Sequence, residues 1–299
     1  MKGERKMKTF VLENEILTAT IREKSAELIS LKRKDTNQEY MWNADPEFWG
    51  WTSPILFPVV GNFRDKQYRY EGKTYSMVQH GFARHRNFQL DSLTDTEIWM
   101  SLEDDEETYA QYPFRFRLML GYKLDGASIK VMWKVENKED KTMHFSIGGH
   151  PALLCPIGKE ANRTECYLGF ETEKDSLEYL MVDIPTARIA EERHTLNLED
   201  GMKKITKGMF DFDALIFDNY QVKTAYLAGA DKKPYIKMHT ETPLIAFWSP
   251  KENAPFICFE PWCGMADSVN FEGTLEERAW AEKLGAKETF ETSYIIETM

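Results

Sequence analysis

Only six histidines occur in the chain, and two of them have neighbours that suit a displayed side chain. His80 precedes a glycine in QHGFARHRNF. His150 follows Gly148 and Gly149 and precedes Pro151 in SIGGHPALLCP. Glycine permits backbone geometry and close ligand approach that a Cβ would block, and proline fixes its own φ. A hydrogen-bonded core or surface histidine is the competing explanation for each. Glu260 stands in FICFEPWCGMAD, after the apolar run Phe256 to Phe259 and before Pro261 and Trp262. A carboxylate at the end of a buried strand is costly unless paired, and burial raises its pKa towards the range useful to a general base. Alternatively, Glu260 has left the strand and faces water or bonds turn amides. In MFDFDALIFDNY, Asp213 between Phe212 and Ala214 suits a side chain aimed into a cleft, whereas Asp211 and Asp218 read as turn or solvated-edge residues. Asn62 and Arg64 follow the apolar run Ile55 to Val60, and Arg84 and Arg86 add basic character beside His80.

Several chemistries find no support. There is no HxxH or HExxH spacing and no histidine with nearby cysteines, so no metal site is expected. A GxSxG elbow, a P-loop and a GxGxxG fingerprint are all missing. The net charge of -11 argues against a nucleic-acid or anionic-membrane partner, which needs a broad basic surface. Cys155, Cys166, Cys258 and Cys263 form no CxxC pair, MKGERKMKTF lacks a leader's apolar run, and no apolar segment approaches the roughly 20 residues that span a bilayer. The expectation is a reduced, soluble, cytoplasmic protein.

Strands must position these residues. Phe114, Phe116, Leu118, Leu120, Tyr122 and Leu124 alternate with more polar neighbours. After the DGA turn at 125–127 the pattern resumes at Ile129, Val131, Trp133 and Val135, which predicts an antiparallel hairpin. Ile98, Met100 and Leu102 alternate likewise, as do Phe290, Thr292, Tyr294 and Ile296. Helical signal is confined to Glu103 to Pro113 and to Thr274 to Gly285, with its Thr cap and Gly stop. With 42% hydrophobic residues, no flexible linker and no repeat, the 299 residues predict one large antiparallel all-β domain with a few short helices.

FPVVGNFRDKQYRYEGKTYSMVQHGFAR, SIGGHPALLCP, FDALIF and FEPWCGMAD, in that order across almost the whole chain, resemble the aldose 1-epimerase (galactose mutarotase) superfamily. The HGFAR form and the FEPW element look most like its LacX-type branch. The resemblance implies a galactose mutarotase-like β-sandwich spanning 1–299, a cleft for a pyranose, and neither metal nor organic cofactor. It further implies His150 as general acid, Glu260 as general base, His80 as the second active-site histidine and Asp213 as a holder of sugar hydroxyls. Arg64 would take the family's arginine role, although GNFRD departs from the GRYANR-like segment of mutarotases proper and Asn62 stands where relatives often carry arginine. Trp49, Trp51 and Trp262 are candidates to cover the apolar face of the sugar ring, with core packing as the competing explanation for each.

The expected reaction is exchange of hexose anomers by ring opening, in a monomer or homodimer. Three readings compete with it. In a hexose-6-phosphate epimerase, Arg64, Lys66, Arg84 and Arg86 would grip the phosphate, and whether Arg84 faces the cleft or water separates free from phosphorylated sugar. The others are a non-catalytic sugar binder and an unrelated structural sandwich.

Overall fold

The computed structural model describes residues 7–158, 160–250 and 254–299. MKGERK, the first six of the ten residues MKGERKMKTF, lies outside them.

The predicted hairpin is the centre of a nine-stranded sheet. Phe116–Asp125 pairs with Ser128–Asn137, and a two-residue turn places Ser128 opposite Asp125. Burial of Ile129, Val131, Trp133 and Val135 follows the period of two. Glu97–Glu103 extends the sheet on one side and Thr289–Thr298 on the other, as their alternation predicts. A second sheet of eight strands contains Arg188–Asn197, Ser176–Asp183, Leu215–Phe217, Leu244–Trp248, Phe256–Cys263, Ile147–Gly149 and Ile55–Leu56 in that order, with Ala152–Leu154 also paired to Phe256–Cys263. The named strands pair antiparallel throughout both sheets.

Between the sheets lies one core. Phe217, Phe247, Ile257 and Phe259 from the eight-stranded sheet share it with Leu118, Leu120, Trp133 and Ile296 from the nine-stranded one. The rings of Phe170 and Phe247 meet edge to face across the layers at 5.6 Å. The alternate residues of the eight-stranded sheet, among them Ile216, Ala246 and Trp262, pack into a separate cluster on its outer face. Phe256–Cys263 is therefore buried on both faces, which is why it reads as a nearly unbroken apolar run. It continues through Glu260 to Cys263, so Glu260 lies within the strand rather than after it.

One helical prediction is met by Glu106–Gln111, where Asp105 accepts from the Thr108 amide at 2.8 Å and Thr108 Oγ1 accepts from the Asp105 amide at 2.8 Å. Thr274 to Gly285 is not a helix. Its cap starts only a 3₁₀ turn at Leu275–Glu277; Trp280 then takes a left-handed φ of 61°, and Glu282–Leu284 pairs as a strand with Met143–Phe145. Tertiary pairing overrides a local helical pattern here.

Candidate active site

Register brings the two central residues together. Gly148 pairs with Trp262 and Ala152 with Cys258, and the same register carried across the break at His150 and Pro151 sets His150 opposite Glu260. Ala246 lies opposite Glu260 on its other side, and Ile216 opposite Ala246. Since side chains alternate, this row faces outward from the core. His150 Nε2 lies 3.2 Å from Glu260 Oε2. Each side chain is buried, at 7% and 1% residue exposure.

The pair forms the floor of a cavity of about 300 Å³, whose walls include His80, Arg84, Asp213, Trp49, Trp248 and Trp262. That volume falls at the small end of ligand pockets, roughly 300 to 1,000 Å³. Trp49 stacks on His150 with centroids 4.6 Å apart, and Trp248 meets the same imidazole edge to face at 5.4 Å. The segment carrying Trp49 is anchored by buried Glu27, which accepts from the Thr52 and Ser53 amides at 2.6 and 2.8 Å and pairs with Arg22.

The glycines beside the histidines now have reasons. His80 and Gly81 both take left-handed φ, 63° and 71°. A Cβ on Gly81 would fall 2.2 Å from the Phe57 carbonyl oxygen, so only glycine lets the chain double back and present His80. A Cβ on Gly148 would lie 2.5 Å from Trp262 Cδ1, so that glycine makes room for the indole.

Electrostatics follow from burial. Desolvation pushes the Glu260 carboxyl well above its ordinary range, and the Asp213 charge adds to the effect. Desolvation and then Arg84 push His150 down to about 3. Burial likewise lowers His80, with His150 and Arg84 contributing. Neutral His80 accepts from the Gly61 amide at Nδ1 (3.1 Å), which leaves Nε2–H as a donor. Asp213 holds the Ala214 amide with one carboxylate oxygen at 2.8 Å, and burial raises its pKa. His150 Nδ1 is buried without a hydrogen-bond partner among the described residues. A buried polar atom of this kind at a cavity wall is a position for a ligand hydrogen bond.

Six of the seven predicted site residues, His80, Arg84, His150, Asp213, Glu260 and Trp262, line this one cavity. Arg64 does not. It is exposed and pairs with Glu272 at 2.7 Å on a neighbouring surface, because the turn after Phe63 points it away. Arg84 supplies the cavity's guanidinium instead; it donates to Gln79 O at 2.9 Å and has no carboxylate partner among the described residues. Asn62 and Trp51 also lie outside the lining. Asp218 corrects the solvated-edge reading, since it is buried and held bidentately by Arg193 at 2.7 and 2.9 Å. Gln79 and Trp248 are cavity residues without a distinguishing sequence signal of their own.

Two stacked antiparallel sheets with this outward-facing cavity define a galactose mutarotase-like sandwich. The chain belongs to the aldose 1-epimerase family, whose model matches residues 8–294. It is 29% identical to the chromosomal protein LacX of Lactococcus lactis subsp. lactis over 296 residues, 96% of this chain and 98% of that protein. A galactose mutarotase related enzyme from Lactobacillus acidophilus superposes with a TM-score of 0.91 at 29% identity, covering 98% of this chain and 97% of the other. A galactose mutarotase-like protein from Lactobacillus casei gives 0.90 at 28% identity, with 98% and 100% covered.

Proposed function

We propose that the chain acts as one domain that interconverts the α and β anomers of a free hexose, with His150 and Glu260 as its acid–base pair. The observation that carries this reading is their opposition at 3.2 Å on the floor of a monosaccharide-sized cavity.

Ring opening moves two protons. Glu260 takes the C1 hydroxyl proton while His150 gives one to the ring oxygen, so the charged pair becomes a neutral one. Burial favours the uncharged form of both groups, so the charged pair is the minor, reactive state from which ring opening runs downhill to the neutral pair. Rotation about C1–C2 presents the other face of the aldehyde. Protonated Glu260 then returns its proton to the carbonyl oxygen as neutral His150 takes one from the C5 hydroxyl, and the ring closes with the pair reset. His80 Nε2–H, Asp213 and Arg84 are placed to hold hydroxyls by hydrogen bonds, the latter two charge-assisted. Trp49, Trp248 and Trp262 supply apolar walls for the ring face.

The phosphosugar alternative keeps one of its four basic residues at the cavity. Of its four basic residues only Arg84 lines the cavity: Arg64 pairs with Glu272, Arg86 pairs with Asp105 and Glu107, and Lys66 lies outside the lining. Arg84 therefore faces the cavity as that alternative requires, but alone. No helix among the described residues is long and apolar enough to cross a membrane. Together with four free, buried cysteines this supports a cytoplasmic setting.

NMR exchange between the anomers of glucose, galactose and their 6-phosphates tests the assignment. Glu260→Gln and His150→Asn are each expected to slow exchange by about 10²- to 10⁴-fold. Exchange at the wild-type rate in both variants would refute the mechanism. Sugar binding without exchange in the wild type would favour a sensor.

A further inference from the structure

We propose that His150, Cys258 and Glu260 form a binding site for one divalent cation of the zinc type, an inhibitory ligand rather than a resident cofactor. The three are brought together by strand geometry. Cys258 and Glu260 lie two residues apart on the same face of one strand, and His150 faces Glu260 across the ladder. One donor atom from each lies within 4.8 Å of the other two.

Two further features point to an ion. All three residues are at least nine-tenths buried, His150 Nδ1 has no hydrogen-bond partner among the described residues, and Glu260 Oε2 already lies 3.2 Å from His150 Nε2. Cys258 otherwise packs among apolar side chains, Trp42, Ala152 and Phe256. Mixed nitrogen, sulfur and oxygen donors select zinc or cadmium over magnesium or calcium, which prefer oxygen alone. Bonds of about 2.0 to 2.3 Å to a tetrahedral ion require the donors to draw in by roughly 1 Å, within reach of a glutamate rotamer change. On binding, the Cys258 thiol and the Glu260 carboxyl each give their proton to solvent as the metal–sulfur and metal–oxygen bonds form. One thiolate and one carboxylate then neutralise the ion's two charges, which suits a desolvated site. Three protein donors leave the fourth position facing the cavity for water or a hydroxyl. Because the ion would occupy both members of the acid–base pair, it would block their proton transfers.

Titration of the intact protein with cadmium chloride, followed by the ultraviolet cadmium–thiolate charge-transfer band, tests the site. The expected result is one ion per chain with a thiolate band, displaced by zinc. Cys258→Ala is expected to abolish the band and weaken binding at least about tenfold, while Glu260→Gln weakens binding and keeps the band. No band in the wild type would overturn the proposal, as would unchanged affinity in a Cys258→Ala protein with a native circular dichroism spectrum. If that variant misfolds, the near-isosteric Cys258→Ser answers the same question. Block of the sugar reaction rests on the proposed function and is read separately: zinc should slow anomer exchange in the wild type and not in Cys258→Ala. If the wild type exchanges no sugar, the functional reading fails while the cadmium titration still decides the metal site.

Discussion

Burying Glu260 and His150 costs stability in opposite pH directions. Glu260 has its folded pKa above the ordinary 4.5, so the folded protein holds a proton that the unfolded chain releases as pH rises past 4.5. Wild-type stability should fall with rising pH relative to Glu260→Gln, by up to about 1.4 kcal/mol per pH unit within that window. His150 has its folded pKa below 6.5, so the unfolded chain binds the proton first as pH falls from 6.5 towards about 3. There the wild type should lose stability relative to His150→Asn. Thermal melts of the three proteins between pH 3 and 8 check both signs; parallel curves would refute the burial argument. A variant that is more stable but inactive is the expected signature of a site that trades stability for chemistry. Arg84→Ala should weaken sugar binding, whereas Arg64→Ala, on an exposed ion pair, should leave exchange and stability unchanged. The reverse order of effects would restore Arg64 to the site.

At the scale of elements, the turn around Gly81 does more than connect strands. His80 donates its amide to the Gly61 carbonyl at 2.9 Å and takes the Gly61 amide on its ring, so turn and imidazole form one unit. Gly81→Ala places a Cβ against Phe57 in a left-handed conformation and should cost at least about 1 kcal/mol. It should also slow anomer exchange through displacement of His80. A wild-type melting temperature and rate would show that the turn tolerates a side chain. Gln at Glu27 tests the other support, since the Thr52 and Ser53 amides would keep an oxygen acceptor while the Arg22 pair is lost. The expected outcome is lower stability with the cavity chemistry retained.

For the whole molecule, one shared core sets the spacing between the sheet that carries the site and the sheet that backs it. Phe259 is fully buried in that core, directly beside Glu260 in the strand and edge to face with Phe247 at 4.7 Å. Phe259→Ala should cost about 3 to 5 kcal/mol, as measured by denaturant unfolding; a loss under 1 kcal/mol would mean the layers are packed elsewhere. Alternation along Ser128–Asn137 was legible in the sequence because that strand has one buried and one wetter face. Glu260 was placed at a strand end because its strand is buried on both faces and so lacks that period. The helix expected after Thr274 failed because a local pattern carries no information about the pairing of Glu282–Leu284 with Met143–Phe145. What the sequence by itself determined was the strand-rich architecture and, through glycine neighbours and ordered motifs, the candidacy of His80, His150, Asp213 and Glu260, which the fold brings to one cavity. The tertiary structure alone decided which guanidinium reaches the cavity and which cysteine lies near His150 and Glu260. Arg64 and Arg84 are each as basic as the other in sequence, but ladder register and turn direction, set by contacts far along the chain, aim one at Glu272 and the other at the cavity.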